Sequence, residues 1–134
     1  MKANLKKISL ALFCIYLAAV AALCFLRPSS LPEMNIKTFL GLPIDKVLHF
    51  IMFFPYPVLS GLSFMYRRFS LGRNFLILLV LTIAGAGLAY GTEVIQRETG
   101  YRSYDMGDYI ADMAGMAAGA ILTLIFIIIQ KTRK

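Results

Sequence analysis

The sequence predicts an all-α membrane protein, a four-transmembrane-helix bundle with both termini cytoplasmic. Hydrophobic residues make up 59% of the chain and charged residues 16%, whereas soluble proteins have about 45–50% and about 25%. The apolar residues are gathered into four blocks of about 18–21 residues, the length that an α-helix needs to cross about 30 Å of hydrocarbon. The basic residues between these blocks are concentrated on one side, which is typical of a multi-pass protein.

The blocks place membrane spans at about 8–26, 47–66, 74–92 and 109–129, within a single domain that covers 1–134. Polar residues do not recur every three or four positions in them, as they would on the surface of a soluble helix. The first block follows a basic segment, as a signal peptide does. Its apolar run of about 19 residues exceeds the about 7–15 of a cleaved signal, so we expect an uncleaved span.

The charges predict the orientation of the spans. One side holds nine basic residues and no acidic one: Lys2, Lys6, Lys7, Arg67, Arg68, Arg73, Lys131, Arg133 and Lys134. Short loops rich in Lys and Arg stay in the cytoplasm, so both termini and the loop at 67–73 are expected inside. The net charge of +7 is therefore a topology signal, and we expect no nucleic-acid partner.

Prolines and glycines predict how the spans are shaped and packed. Pro55 and Pro57 lack backbone N–H donors and should kink the second span, and residues 34–40 are compatible with a short interfacial helix. Small residues four apart let helices approach closely. Such positions are Gly87 with Gly91 (and Gly85 nearby) in the third span, and Gly115 with Gly119 in the fourth.

Ionisable residues gather where the spans reach the outer surface. The candidate ligand-binding residues are Asp45, Lys46, His49, Glu93, Gln96, Arg102, Asp105, Asp108 and Asp112. A carboxylate in hydrocarbon costs about 2.5–3.5 kcal/mol, so these side chains should face the bundle and not the lipid. We expect His49, Glu93 and Asp108 to point into one shared space, although they come from three spans.

The fourth span carries a regular stripe. If all are helical, Asp105, Asp108, Asp112, Gly115 and Gly119 fall within an arc of about 80°. Such a stripe suits a helix whose small residues pack against a partner while its carboxylates line a pocket. The structural alternative is a plug in which Lys46 and Arg102 neutralise the carboxylates and fix the arrangement of the helices.

These motifs resemble the VanZ-like family of small bacterial membrane proteins. The resemblance rests on Asp45-Lys46-x-x-His49-Phe50, on Glu93-x-x-Gln96, and on a third stretch from Arg102 through Asp105, Asp108 and Asp112 to Gly115 and Gly119. The family pattern often has Asn where this chain has Asp112. The prototype of the family is associated with low-level resistance to the lipoglycopeptide antibiotic teicoplanin. The resemblance therefore implies a cell-envelope setting in a bacterial plasma (inner) membrane.

Three functions stay open. The first is binding of a lipid-linked or amphiphilic envelope molecule, such as an envelope precursor or a lipoglycopeptide, with Lys46 and Arg102 meeting an anionic headgroup. The second is an enzyme that acts on a lipid-linked substrate, with His49 as general acid or base and Glu93 or Asp108 orienting it or binding a divalent metal. The third is a structural subunit without a ligand. We expect membrane lipid as a partner and predict no resident metal or cofactor.

Overall fold

The computed structural model describes residues 3–25, 37–100 and 105–133. Its helices are α1 (Ala3–Phe25), α2 (Ile44–Phe53), α3 (Pro55–Phe64), α4 (Leu71–Glu98) and α5 (Met106–Thr132), with a short hairpin of β1 (Thr38–Phe39) and β2 (Leu42–Pro43) before α2. α2 and α3 are two halves of one apolar segment of 21 residues. Four helical segments are thus long and apolar enough to cross a membrane, which confirms that part of the prediction.

The helices α4 and α5 begin before the predicted spans at 74–92 and 109–129, because polar N-caps start them outside the apolar blocks. The Ser70 hydroxyl accepts a hydrogen bond from the backbone N–H of Arg73, 3.1 Å away, so α4 begins at Leu71. The Asp105 carboxylate accepts from the N–H of Gly107 at 2.7 Å, so α5 begins at Met106. Side-chain oxygens of this kind satisfy N–H groups that have no partner inside the helix.

The second span is interrupted where the prolines predict. α2 ends at Phe53, α3 begins at Pro55, and the backbone of Phe54 between them stays in the helical region. The Tyr16 hydroxyl on α1 donates to the carbonyl oxygen of Met52 at 2.7 Å, beside the break. A neighbouring helix therefore supplies a polar contact in the part of the span where two backbone donors are missing.

Two glycines of α5 bring it against the second span. A Cβ added at Gly115 would clash with the carbonyl oxygen of Phe50, and one at Gly119 would clash with that of Phe54. The backbones therefore touch directly, and the prediction that these glycines pack within the chain is confirmed. Such contact is open only to residues without a side chain.

The same prediction was wrong for Gly87 and Gly91. Among the described residues, nothing lies within 4 Å of a Cβ added at either position. The small residue of α4 that packs is Gly85, whose added Cβ would meet the ring of Tyr56 and the sulfur of Met116. Gly85 and Gly87 differ by about 200° around the helix, so they point in nearly opposite directions.

The interfacial helix predicted at 34–40 is also wrong over its described part, residues 37–40. There the chain forms a two-stranded hairpin in which Thr38 pairs with Pro43 and Phe39 with Leu42. Leu40 and Gly41 make the turn with φ of 50° and 78°. Two consecutive residues with positive φ are the signature of a tight hairpin turn, and glycine adopts this conformation without a steric cost. Residues 34–36 lie outside the described part.

Beyond these elements, the bundle has two chemically different ends. At the basic end, α1 begins, α3 ends, and the Lys6 ammonium donates to the carbonyl oxygens of Leu62 at 2.7 Å and of Met65. At the carboxylate end, α2 and α5 begin and α4 ends. An apolar core that includes Phe53, Tyr56 and Met116 separates the two ends.

Candidate functional site

Three helices carry an ionisable side chain into the interior of the bundle near the carboxylate end. His49 on α2, Glu93 on α4 and Asp112 on α5 have 5%, 2% and 0% of their surface exposed. We call these three residues the His–Glu–Asp cluster. Each lies about one turn or more inside its helix, on the face that packs against the other two. Burial of ionisable groups costs free energy unless they are paired. These three side chains must therefore interact with one another or with other polar groups.

The cluster is tightly packed. His49 Nδ1 lies 2.9 Å from Asp112 Oδ1, a hydrogen bond between α2 and α5. One nitrogen or carboxylate oxygen from each of the three residues lies within 4.8 Å of the corresponding atoms of the other two. The second oxygen of Asp112, Oδ2, is also buried, and no hydrogen bond reaches it within the described parts of the chain.

A second carboxylate faces the other nitrogen of the imidazole ring. His49 Nε2 lies 3.5 Å from Oδ2 of Asp108, which is 4% exposed. The other oxygen of Asp108, Oδ1, accepts a hydrogen bond from the Lys46 ammonium at 2.7 Å. The polar groups therefore form a continuous chain from Asp112 through His49 and Asp108 to Lys46. The ring lies between two carboxylates, an arrangement that fixes its orientation.

Lys46 is the centre of a more exposed layer above the cluster. Its ammonium also contacts the carboxylates of Asp45, at 3.4 Å, and of Asp105. We call Lys46, Asp45 and Asp105 the Lys46 rim, because their side chains are partly open to solvent. The hydrogen bond from Lys46, followed by that from the N–H of Gly107, holds the pKa of Asp105 below its usual value.

The structure brings most of the candidate residues together. His49 lies within 3.5 Å of an oxygen of Asp108 and shares a cluster with Glu93, so the three side chains expected in one space do converge. Asp112 is the deeper partner of His49. Gln96 is half-buried, about one turn beyond Glu93 on α4. Arg102 lies outside the described residues.

The stripe predicted on the fourth span holds for four of its five members. Asp108, Asp112, Gly115 and Gly119 are all buried on one face of α5. Asp105 is not helical: its backbone is extended, with φ of −127° and ψ of 112°, and it caps the helix instead. Capping draws Asp105 out of the helical arc, because the residue at this position keeps a non-helical backbone.

Gly107 shapes the site and was not among the sequence-based candidates. A Cβ there would lie 2.7 Å from Lys46 Cε and 2.9 Å from Lys46 Nζ. The absence of a side chain at Gly107 therefore leaves room for the ammonium among its carboxylates. The only signal in the sequence is a glycine between two aspartates at a helix start, which is also a common capping pattern.

The ionisable groups of the site are mostly acidic. Within the described residues, five carboxylates (Asp45, Glu93, Asp105, Asp108 and Asp112) surround one ammonium and one imidazole. Such a set can hold a cation, share protons, or orient His49 as a general base. A cavity of about 40 Å³ lies at the opposite, basic end, where Lys6, Tyr66 and Thr123 are among its lining residues.

Comparison with known proteins gives one curated relative that is itself uncharacterized. No family model matches the chain, and no solved structure matches it. The chain is similar to uncharacterized protein C11E3.10 of Schizosaccharomyces pombe, with 33% identity over 88 residues. The matched region is 65% of this chain and 51% of the relative, so the chain spans about half of the length of the curated relative that it matches.

Proposed function

We propose that this multi-pass membrane protein belongs to a cell envelope and that its carboxylate end faces outward. The support is the charge distribution, because nine basic residues and no acidic one accompany the basic end and the two termini. Short segments of this kind are retained in the cytoplasm. A bacterial plasma membrane and a VanZ-like relationship are part of this proposal, which the motifs around His49, Glu93 and Asp108 motivate.

The proposed activity is binding of an amphiphilic or lipid-linked envelope molecule at the carboxylate end. The observation that carries it is the position of the partly exposed Lys46 rim directly above the buried His–Glu–Asp cluster. A headgroup would contact the rim, and an acyl chain would lie along neighbouring lipid-facing residues such as Leu48 and Ile110, which are 46% and 61% exposed. Resistance to a lipoglycopeptide would be one consequence of such binding.

The charges of the rim favour a headgroup with an amino group. Among the described residues, three carboxylates contact the Lys46 ammonium, so carboxylates outnumber ammonium groups in this part of the site. An anionic headgroup would meet this excess of negative charge, whereas an ammonium group would form charge-assisted hydrogen bonds with the exposed oxygens of Asp45 and Asp105. We therefore propose an amine-bearing amphiphile in place of the anionic headgroup that the sequence suggested.

Lipid retention by the purified protein tests this proposal. The full chain in detergent is incubated with phosphatidylethanolamine or phosphatidylglycerol of the same acyl chains, and bound lipid is counted by native mass spectrometry. We expect preferential retention of the amine lipid and its loss in the Asp45→Asn, Asp105→Asn double variant. Lys7→Gln, an exposed change at the basic end, is the matched control and should retain the preference.

The rim is the right place for this test because it separates binding from folding. His49 and Glu93 are buried, so their substitution is expected to reduce stability whatever their role is. Equal retention of both lipids by the wild type, or an unchanged preference in the double variant, would refute the binding proposal. In a suitable bacterial host, lipoglycopeptide sensitivity of cells expressing the same variants gives a second readout.

An enzyme acting on a lipid-linked substrate is the second candidate, and the position of His49 favours it. Its Nδ1 is hydrogen-bonded to Asp112 at 2.9 Å, which is how a carboxylate commonly orients a general base, and Nε2, 3.5 Å from Asp108, would be the nitrogen that exchanges a proton. A chemical role predicts that His49→Gln keeps the lipid preference but stops any change in the bound lipid. Mass analysis of lipids extracted from cells that express the wild type or His49→Gln distinguishes an enzyme from a lipid-binding protein. Binding alone leaves the lipid masses of the two extracts equal.

A further inference from the structure

We infer that the His–Glu–Asp cluster is a binding site for one divalent transition-metal ion of the Zn²⁺ or Mn²⁺ type. His49, Glu93 and Asp112 each offer one ligand atom, and these atoms lie within 4.8 Å of one another. Ligands bound at about 2.0–2.2 Å on opposite sides of one ion lie at most about 4.4 Å apart, so only a small contraction is needed. The three residues come from three helices, so one ion would join α2, α4 and α5.

The burial of Asp112 supports the site. Its side chain is fully buried, and no described residue hydrogen-bonds its Oδ2. A buried polar atom without a partner is costly. A divalent cation bound by the cluster would give this oxygen a partner.

The surroundings of His49 match those of a metal-bound histidine. Metal-binding histidines usually direct their second ring nitrogen to a carboxylate, which fixes the tautomer and the ring orientation. Here Nδ1 faces the cluster, and Nε2 lies 3.5 Å from Asp108 Oδ2. Lys46 in turn contacts the other oxygen of Asp108 at 2.7 Å and compensates its charge. Asp108 is therefore a positioning residue for the proposed site.

A second group of carboxylates serves as an internal comparison. Asp45, Asp105 and Asp108 also converge closely enough to hold a cation. The Lys46 ammonium contacts all three, so a cation of the protein itself occupies that position. The inference is therefore limited to the deeper cluster, and the rim provides control positions.

The donor atoms indicate the class of metal. Imidazole is a common ligand of Zn²⁺ and other late transition metals, whereas carboxylates alone suit Mg²⁺, Ca²⁺ and Mn²⁺. One imidazole with two carboxylates therefore selects Zn²⁺ or Mn²⁺ over Mg²⁺ and Ca²⁺. Three protein ligands leave at least one coordination position open for water or another molecule. The inference does not depend on the proposed lipid ligand, because it rests on the protein's own donor atoms.

The test uses the full chain in detergent, purified without a polyhistidine tag and stripped with EDTA. Metal content is measured by mass spectrometry of the elements after incubation with Zn²⁺, Mn²⁺ or Mg²⁺ and gel filtration, and the thermal midpoint is followed in parallel. We expect one Zn²⁺ or Mn²⁺ per chain and a rise in the midpoint that Mg²⁺ does not give. Glu93→Gln and Asp112→Asn should lose both effects, and Asp108→Asn should weaken binding by about 10–100-fold.

Asp45→Asn is the control, because this rim carboxylate belongs to the Lys46 group and not to the cluster. It should bind metal as the wild type does, and an equal loss in Asp45→Asn would overturn the inference. If the cluster variants do not fold, the visible spectrum of Co²⁺ added to the wild-type protein tests the metal site instead. A visible spectrum changed from that of aqueous Co²⁺ supports the site, and an unchanged one refutes it. Lipid retention by the EDTA-treated protein is measured separately, so a failed metal site leaves the binding proposal intact.

Discussion

His49 and Asp112 are joined by a hydrogen bond of 2.9 Å that crosses the interface between α2 and α5. The contact lies beside a point where the backbones of these two helices touch. Gly115, three residues after Asp112, touches the carbonyl oxygen of Phe50, the residue after His49. The missing side chain at Gly115 therefore sets the separation of the helices at which the histidine and the aspartate meet. Packing and polar chemistry are coupled at this position.

Gly115→Ala tests this coupling. The added methyl group would overlap the Phe50 carbonyl, so α5 must move away from α2. Overpacking of a well-packed interface costs about 1–3 kcal/mol, and we expect a loss of this size in the free energy of unfolding. The measurement is denaturant or thermal unfolding of the purified protein in detergent.

Gly87→Ala is the matched control for that substitution. Both are glycine-to-alanine changes within a helix, but a Cβ at Gly87 meets no described atom within 4 Å. The control should be neutral or stabilising by up to about 1 kcal/mol, because alanine is the better helix former. Equal stability of Gly115→Ala and Gly87→Ala would show that α5 does not depend on this close approach.

Gly119→Leu applies the same reasoning one turn deeper. A Cβ at this position would clash with the carbonyl oxygen of Phe54 and lie 2.7 Å from Pro57 Cγ, so a leucine cannot be accommodated without separating the helices. We expect a loss of at least about 1–3 kcal/mol in thermal or denaturant unfolding. Wild-type stability of this variant would mean that the face of α5 around Gly119 is open to lipid.

Lys46→Met should make the stability of the protein depend on pH in a new way. Without the ammonium, Asp45, Asp105 and Asp108 repel one another at neutral pH, so the thermal midpoint should fall below that of the wild type. Because Lys46 lowers the pKa of Asp105, its stabilising effect is present at neutral pH and is lost as the pH falls through that lowered value. The midpoints of variant and wild type should therefore stay apart down to about pH 4, the ordinary range of a carboxyl group, and converge only below it, because Asp105 of the wild type stays ionised to lower pH.

Lys46→Arg is the control for the pH experiment, since it keeps the positive charge and should follow the wild type more closely than Lys46→Met does. A constant difference between Lys46→Met and the wild type from neutral to acid pH would contradict the prediction. It would mean that Lys46 stabilises the protein through the packing of its aliphatic chain and not through its charge.

Asn74→Leu should loosen the short connection between α3 and α4. The buried side chain of Asn74 accepts a hydrogen bond from the N–H of Tyr66 at 3.1 Å and donates one to its carbonyl oxygen at 2.9 Å. An unsatisfied buried polar group costs about 1–3 kcal/mol, so we expect a loss of at least this size. Thermal unfolding measures it, and Asn4→Leu, at an exposed position of α1, is the control. Equal midpoints for the two leucine variants would contradict the role of Asn74.

The proposed orientation is tested by labelling single cysteines in whole cells. In a chain that lacks Cys14 and Cys24, Ser70→Cys lies in the loop at the basic end and Leu40→Cys at the tip of the hairpin near the carboxylate end. Both side chains are exposed, and 88% of the surface of Leu40 is accessible to solvent. A membrane-impermeant maleimide should label Leu40→Cys in intact cells and Ser70→Cys only after lysis. The reverse pattern would place the carboxylate end inside.

The sequence by itself determined the properties that depend on composition and on position along one helix. Long apolar blocks predict the four spans, Pro55 and Pro57 predict the interruption of the second, and the spacing of Gly115 and Gly119 predicts the close contact of α5. These follow from the length of a helix, the missing N–H of proline and the repeat of 3.6 residues per turn. The first two are local properties of the chain. The contact at Gly115 and Gly119 also needs a facing helix, because the same spacing at Gly87 and Gly91 brings no described atom within 4 Å.

The tertiary structure alone decided which faces meet. In α4, Gly85 and Glu93 face the other helices, whereas no described atom lies within 4 Å of a Cβ at Gly87 or Gly91, although all four lie in the same helix. The tertiary structure made Asp112 the closest aspartate to His49, with Asp108 on the opposite side of the ring. Each residue along a helix turns the side chain by about 100°, so the rotation of each helix against its neighbours selects the members of the site. That rotation is fixed by contacts between helices, which a reading of one helix at a time does not contain.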